Sequence, residues 1–207
     1  MDFITIAISK GRLGKQTHKI LNKMNMGDAI DLDSRKLIFK DEKNKINYIY
    51  VKPSDVITYV EKGVADLGIA GKDNILESNT DVYEVLDLKF GKCKFSIASI
   101  KEQKIYSKNN VLKVATKYPE ITKKYFENKQ QKIEIIKLNG SVELAPLVGL
   151  ADVIVDLVET GNTLKANGLE TIEDMFNISA RLICNRISYR FNYERIQNII
   201  KLLEINL

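Results

Sequence analysis

Apolar residues in this chain come in short runs separated by polar turns, and their spacing predicts the local structure. Phe3 to Ile8 is an apolar run closed by Ser9-Lys10-Gly11-Arg12. Behind it, Leu13 to Met26 places Leu13, Ile20, Leu21 and Met24 at helical spacing. That order predicts a strand, a glycine turn and an amphipathic helix. Arg35 to Phe39 and Ile46 to Val51 read as strands around the polar turn Asp41 to Lys45. Lys52-Pro53-Ser54-Asp55 then opens a helix with Val56, Ile57 and Val60 as its stripe and Gly63 at its end. Further strands are predicted at Asp66 to Ala70, Val82 to Leu88, Cys93 to Ile100, Val111 to Ala115, Lys132 to Leu138 and Ala180 to Cys184. Helices are predicted from Tyr118-Pro119 to about Lys129, from Val142 or Glu143 onward, and from Phe191 to Leu203. The stretch Leu150 to Leu169, LADVIVDLVETGNTLKANGL, predicts a buried strand, a tight polar loop at Thr160-Gly161-Asn162-Thr163 and a short helix.

Strands alternating with helices imply βαβ units, hence an α/β fold with mainly parallel sheets. The strands outnumber what one small sheet holds, so two lobes are expected. No linker composition separates them, which predicts crossings through continuous strands near Cys93 to Ile100 and Ile178 to Asn185. The expected division is lobe I from residues 1–93 and 180–207, and lobe II from residues 94–179. A ligand would lie in the cleft between lobes, at the C-terminal ends of strands.

Composition narrows the chemistry. The 207 residues carry 32 Lys+Arg against 27 Asp+Glu, a net charge of +5 that favours anionic ligands. The lysines are spread along the chain, so no nucleic-acid patch is read from them. No apolar run is long enough to span a bilayer, and Met1-Asp2-Phe3 leads directly into the first strand, so a cytoplasmic protein without a leader is expected. Cys93 and Cys184 are far apart and lack metal spacing; packing as small apolar side chains is expected of both. His18 is the only histidine and falls on a helix surface, which removes histidine triads and His-rich metal sites.

Two turns carry candidate chemistry. The loop after Asp156 offers N–H groups and hydroxyls at a helix start, which suits an anion; an ordinary strand-turn-helix fits the same pattern. Lys10-Gly11-Arg12 is either a phosphate-binding turn or a pair of solvated charges at a strand end. Asp66, Leu67, Gly71, Lys72 and Asp73 form a second strand-to-loop passage, with Asp66 either at the ligand or a strand-end cap. Glu143 is either a nucleotide contact or a first-turn carboxylate favoured by the helix dipole.

Four segments together resemble one family: IAISKGRL (Ile6 to Leu13), KPSDVITYVEKGVADLGIAGKD (Lys52 to Asp73), VATKYP (Val114 to Pro119) and LNGSVELAPLVGLADVIVDLVETGNTL (Leu138 to Leu164). They look like ATP phosphoribosyltransferase, in the same order and across nearly the whole chain. The resemblance implies a two-lobe fold like that of type II periplasmic binding proteins. It implies transfer of the phosphoribosyl group of 5-phosphoribosyl-1-pyrophosphate to N1 of ATP, with release of pyrophosphate. It implies Mg²⁺ carried by the substrate phosphates rather than by a protein metal site. The chain ends after the helix expected to return to lobe I, so it resembles the short form, without a C-terminal regulatory domain. Short forms resemble one another in needing a regulatory subunit related to histidyl-tRNA synthetase, and a homodimer of catalytic chains is expected. Two other readings share features with this one. A non-enzymatic bilobal binding module shares the expected fold. Salvage-type phosphoribosyltransferases share the loop, but usually with two adjacent acids and Thr-Gly-Gly-Thr where this chain has Asp156 alone and Thr160-Gly161-Asn162-Thr163.

On that resemblance the residues take roles. Asp156 sits under the ribose and steadies the positive charge that develops there. Thr160, Gly161, Asn162 and Thr163 hold the 5-phosphate. Glu159 either points outward or helps hold ribose or metal. Lys10, Gly11 and Arg12 receive pyrophosphate, Lys10 and Arg12 also acting in catalysis, with Arg35 and Lys52 behind them. Some family members carry Arg at the position of Lys52, and Lys lacks the bidentate fork. Asp66, Leu67, Gly71, Lys72, Asp73 and Glu143 are expected near ATP.

Overall fold

The computed structural model describes residues 3–100 and 111–207, so Met1 and Asp2 of the expected leaderless start lie outside it. In chain order the elements are β1 (Ile4–Ser9), α1 (Arg12–Lys23), β2 (Ile38–Asp41), β3 (Ile46–Val51), α2 (Val56–Glu61), β4 (Leu67–Gly71), α3 (Lys72–Ser78), β5 (Tyr83–Asp87), β6 (Cys93–Ile100), β7 (Leu112–Thr116), α4 (Pro119–Asn128), β8 (Ile133–Lys137), α5 (Leu144–Leu147), β9 (Val153–Val158), α6 (Asn162–Ala166), β10 (Leu169–Ile178), β11 (Ala180–Cys184), α7 (Arg186–Phe191) and α8 (Tyr193–Asn206). The chain divides into two compact units. One comprises Met1–Gly91 with Ser179–Leu207, the other Lys92–Ile178.

The first unit is a six-stranded sheet in the order β2-β3-β1-β4-β11-β5. Its central strands β1 and β4 are apolar on both faces because both faces are covered. Ile4, Ile6 and Ile8 alternate toward a core shared with Leu67, Ile69, Leu182 and Cys184, closed by Leu21 of α1 and by Ile196, Ile199, Ile200 and Leu203 of α8. The intervening Ala7, Ala70 and Ile183 face the other way, against Val56, Ile57 and Val60 of α2. Each such fully buried Leu, Ile or Val contributes roughly 1.5–3 kcal/mol of burial energy. The predicted stripe of α2 is thus its buried face, and Gly63, at φ 71, follows its last turn.

The second unit is a five-stranded sheet in the order β10-β6-β9-β7-β8. Ala98, Ala115, Ile154 and Val158 share one core with Ala145 of α5 and Leu164 of α6. Phe95, one residue out of phase with Ser96 and Ala98, meets Tyr118 edge-on at 4.9 Å and Phe176 at 5.2 Å. Helix α4 packs along β8 and buries Ile121, Thr122 and Phe126.

The fold is α/β as expected, but its sheets are mixed rather than mainly parallel. Among the described residues, parallel pairing is confined to β3-β1-β4 and β8-β7-β9. β2 folds back on β3 as a hairpin, and β11 runs antiparallel to both β4 and β5. β6 is antiparallel to β9 and β10. Alternation of strands and helices predicts the parallel units and carries no information about the direction of strands that re-enter a sheet. Three elements, α3, α7 and β10, were not expected; the expected final helix from Phe191 to Leu203 is α8, which starts at Tyr193 and runs on to Asn206, while Phe191 ends α7.

Candidate functional site

Because β1, β3 and β4 are parallel and in register, their C-terminal residues Ser9, Val51 and Gly71 end along one edge of the first unit's sheet. The residues that follow are Lys10-Gly11-Arg12, Lys52 and Lys72-Asp73. β2 runs antiparallel to β3, so the chain entering it brings Arg35 and Lys36 to the same edge, and Tyr50 N donates to Leu37 O at 2.8 Å. The turn after β1 is tight. Lys10 N donates to Val51 O at 3.2 Å, and Gly11 has φ 99 and ψ −155, a region held almost only by glycine. Gly14 is buried one turn later, where a Cβ would stand 2.0 Å from Ser9 O. Glycine there lets α1 press onto the end of β1. A cavity of about 80 Å³ opens beside this turn, lined by Ser9, Lys10, Gly11, Lys15, Lys36 and Tyr50, with Asp31 also in its wall. Lys15, Lys36, Ser9 and Tyr50 were not singled out in the sequence. Lys15 could have been, since it lies four residues after Gly11, one turn into the helix.

The other expected residues of this unit are distributed. Arg12, Arg35 and Lys52 are exposed at the edge, outside the cavity wall. Lys72 forms an ion pair with Glu84, which also pairs with Arg181 at 3.4 Å. Asp73 is buried and accepts from Asn74 Nδ2 at 2.9 Å. Asp66 does not join them. It precedes β4, at the opposite end from Gly71, roughly 16 Å away at about 3.3 Å per residue. There its Oδ2 accepts from Thr5 N at 2.7 Å, and its carbonyl accepts from Asn185 N at 2.9 Å. Leu67 is 0% exposed and belongs to the core. Neighbours in sequence are carried apart by an extended strand, which corrects the expectation for both Asp66 and Leu67.

The second unit holds a larger cavity, of about 240 Å³. Its floor is one face of the sheet: Ile154, Asp156 and Val158 alternate along β9, and Ser96 and Ala98 stand beside them on β6. Its rim is the loop Glu159 to Thr163 together with Glu143, which stands at the start of α5. The structure therefore gathers Asp156, Glu159, Thr160, Gly161, Asn162, Thr163 and Glu143 in one place. Asp156 lies inside β9, paired with Ser96 and two residues before the strand ends; its Oδ1 accepts from Leu157 N at 2.8 Å. Gly161, at φ 74, turns the chain into α6, and Lys165 N donates back to Gly161 O at 3.1 Å. The first N–H groups of a helix have no acceptor within it, so the loop presents donors. Among the described residues, no lysine or arginine lines this cavity.

Ser96 and Ala98 escaped the sequence because only the β6–β9 register puts them beside Asp156 and Ile154. Ser96 Oγ donates to Asp174 Oδ1 at 2.8 Å, and the ion pair with Lys94, helped by that hydroxyl, holds the Asp174 carboxyl below its usual range. His18 lies with Nε2 3.2 Å from Gly27 O and takes no part in either cavity. Among the described residues no cluster of three or more His, Cys, Asp or Glu is arranged for a metal, and no helix is long and apolar enough to cross a membrane.

Comparison with known proteins matches residues 52–205 to the family model described as HisG: ATP phosphoribosyltransferase. A protein of Clostridioides difficile (strain 630) named ATP phosphoribosyltransferase is 71% identical over 204 residues, covering 99% of this chain and 98% of that protein. Another of that name, from Oceanobacillus iheyensis, is 52% identical over 204 residues, 98% of each chain. Among solved structures, the ATP phosphoribosyl transferase (HisG:HisZ) complex from Thermotoga maritima superposes with a TM-score of 0.85 at 34% identity, covering 99% of this chain and 98% of that one. The periplasmic aliphatic sulphonate-binding protein SsuA from Escherichia coli gives a TM-score of 0.63 at 14% identity, covering all of this chain and 68% of its own, a likeness of fold alone.

Proposed function

The chain belongs to the ATP phosphoribosyltransferase family, and on that premise we propose how its residues carry out the first step of histidine biosynthesis. The reaction joins N1 of the ATP adenine to C1 of the ribose of 5-phosphoribosyl-1-pyrophosphate. The C1–O bond to pyrophosphate breaks, and pyrophosphate leaves with the bonding electrons. Positive charge builds on the ribosyl centre as that bond lengthens. Positioning and electrostatic stabilisation therefore supply most of the catalysis. The fold-level likeness to sulphonate-binding proteins gives no support to a non-enzymatic role.

The observation that carries the assignment is the cavity that collects Asp156 with Thr160 to Thr163. Asp156 takes the ribose hydroxyls and offsets the charge at C1. The loop N–H groups and the Thr160 and Thr163 hydroxyls take the 5-phosphate. Glu159 and Glu143 add acceptors at the rim, suited to ribose hydroxyls or the adenine amino group rather than to phosphate. The polyphosphates go to the cationic edge of the first unit, to Lys10 and Arg12 with Arg35, Lys36 and Lys52 as further charge. Lys72 has its own partner in Glu84 and is left to a structural role.

Mg²⁺, bound through the substrate phosphates, would supply neutralisation of part of the polyphosphate charge. The cavity's carboxylates, Asp156, Glu159 and Glu143, are hard oxygen donors of the kind it accepts, one or two at a time. The Thermotoga maritima relative is described as a HisG:HisZ complex. By that likeness this chain works with a HisZ-type regulatory subunit. The family resemblance extends the proposal to catalytic copies paired as a homodimer in the cytoplasm.

Asp156→Asn tests the assignment. Asn keeps the size and an oxygen for Leu157 N but removes the charge. The expected outcome is a fall in kcat of about 10²–10³-fold with an unchanged circular dichroism spectrum. Turnover within a few-fold of the unaltered chain would show that the carboxylate does not serve the ribose.

A further inference from the structure

Two hydroxyls in the first unit are anomalous. Ser9 is 1% exposed and Tyr50 6% exposed, and the side-chain oxygen of each is buried without a hydrogen-bond partner. Buried hydroxyls are normally paired, and an orphan calls for a group that comes and goes. Both residues line the same cavity, beside Lys10, Lys15 and Lys36. Tyr50 is held there by its place on β3 next to Ile8 and by an edge-on contact with Phe39, ring centres 5.6 Å apart. Burial raises its pKa, so it stays a donor at neutral pH. The Asp31 carboxylate in the wall accepts from Asp33 N at 3.0 Å.

Two hydroxyl-bearing residues and three lysines line a space of about 80 Å³. That is room enough for several water molecules or for one tetrahedral oxyanion. The outer wall, residues 31–36, is held by local bonds: Ser34 N to Asp31 O at 3.4 Å and Lys36 N to Ser34 Oγ at 3.1 Å. It can move aside for a ligand without breaking a sheet ladder.

We propose that this cavity takes a terminal phosphoryl group of a polyphosphate substrate, with Ser9 and Tyr50 as its hydroxyl donors. The inference rests on the reading that this edge receives polyphosphate, and adds two uncharged binding residues to it. The phosphoryl group can come from the pyrophosphate of the ribosyl donor or from the triphosphate of ATP, and both would present the same oxygens.

Ser9→Ala and Tyr50→Phe each delete one oxygen. The full chain and each variant are titrated calorimetrically with pyrophosphate and, separately, with ATP, and their Tm values are measured without ligand. The expected result is at least about fivefold weaker binding in one or both arms, within the range of a lost hydrogen bond to a charged group. Loss with pyrophosphate alone identifies the ribosyl donor as the source, loss with ATP alone the nucleotide, and loss with both a shared site. Without ligand the variants should melt higher by roughly 2 °C, because an unpaired buried hydroxyl has been removed. Affinity within twofold in both arms overturns the proposal, as does the absence of binding by the unaltered chain at millimolar anion. A lowered Tm also overturns it, since the hydroxyl would then be paired inside the protein. Product formation by the unaltered chain is measured alongside, so failure of the catalytic reading is seen separately from failure of this site.

Discussion

Cys184 is 0% exposed in the first unit's core, and burial, followed by the charge of Asp66, pushes its thiol up to about 12 from 9.0. Burial also raises Tyr48 and Tyr50. Such groups keep their protons in the folded chain after the unfolded chain has lost them. For Cys184 the unfolded state therefore binds fewer protons between pH 9 and 12, and stability falls as pH rises through that window. The Tm should hold level up to about pH 9 and decline above it. At pH 8 the thiolate fraction is on the order of 10⁻⁴, so Cys184 should resist iodoacetamide in the folded chain and react in denaturant. Mass spectrometry reads this directly, and rapid labelling of folded Cys184 would contradict the burial argument. At this scale the sequence was informative where a residue's role follows from its immediate neighbours. The places of Thr160 to Thr163 and of the Lys10-Gly11-Arg12 turn, each between a strand and a helix, were legible because apolar runs on either side bound them. Asp66 was misplaced because closeness in sequence to Gly71 says nothing once a strand stretches between them. Ser96, Ser9 and Tyr50 were hidden because strand register, not local pattern, brings them to a cavity.

At the scale of elements, Asn185 joins two helices through one side chain. Its Oδ1 accepts from Ile187 N at 2.9 Å and Ser188 N at 3.0 Å, capping α7. Its Nδ2 donates to Val60 O at 2.8 Å and Glu61 O at 3.3 Å, at the C-terminal end of α2. Replacing it with Ala removes a cap, at about 1 kcal/mol, and strands buried carbonyl groups, at about 1–2 kcal/mol more. Asn185→Ala should lower the Tm by roughly 4–10 °C. A shift under about 1 °C in a thermal melt would show that water replaces the amide without loss. The legible elements were those with a clean period: β3 and β11 have their predicted bounds, and α2 its predicted stripe. β10 was not legible. It carries Glu170, Thr171, Glu173, Asp174 and Asn177, and it breaks register against β6 between Thr171 and Glu173 and again between Asp174 and Phe176. Each irregularity inserts a residue and spoils strict alternation. Those same shifts set Asp174 against Ser96 and leave Glu173 to bind Tyr125 and Lys129 of the α4 region. Helix α3 was missed for a different reason: the residue it buries is Asp73, so it shows no apolar stripe.

Over the whole molecule, the net charge of +5 is less telling than its arrangement. The first unit gathers lysines and arginines at one sheet edge, while the second unit's cavity is lined by carboxylates, hydroxyls and backbone. On the proposed function, polyphosphates suit the former, and a ribose ring carrying developing positive charge suits the latter. The most direct test mixes the purified chain, a HisZ-type subunit, ATP, 5-phosphoribosyl-1-pyrophosphate and Mg²⁺, and follows the ultraviolet absorbance of the N1-substituted adenine. The account predicts an absorbance rise that requires both substrates, with one pyrophosphate released per product. No rise with everything present would contradict it.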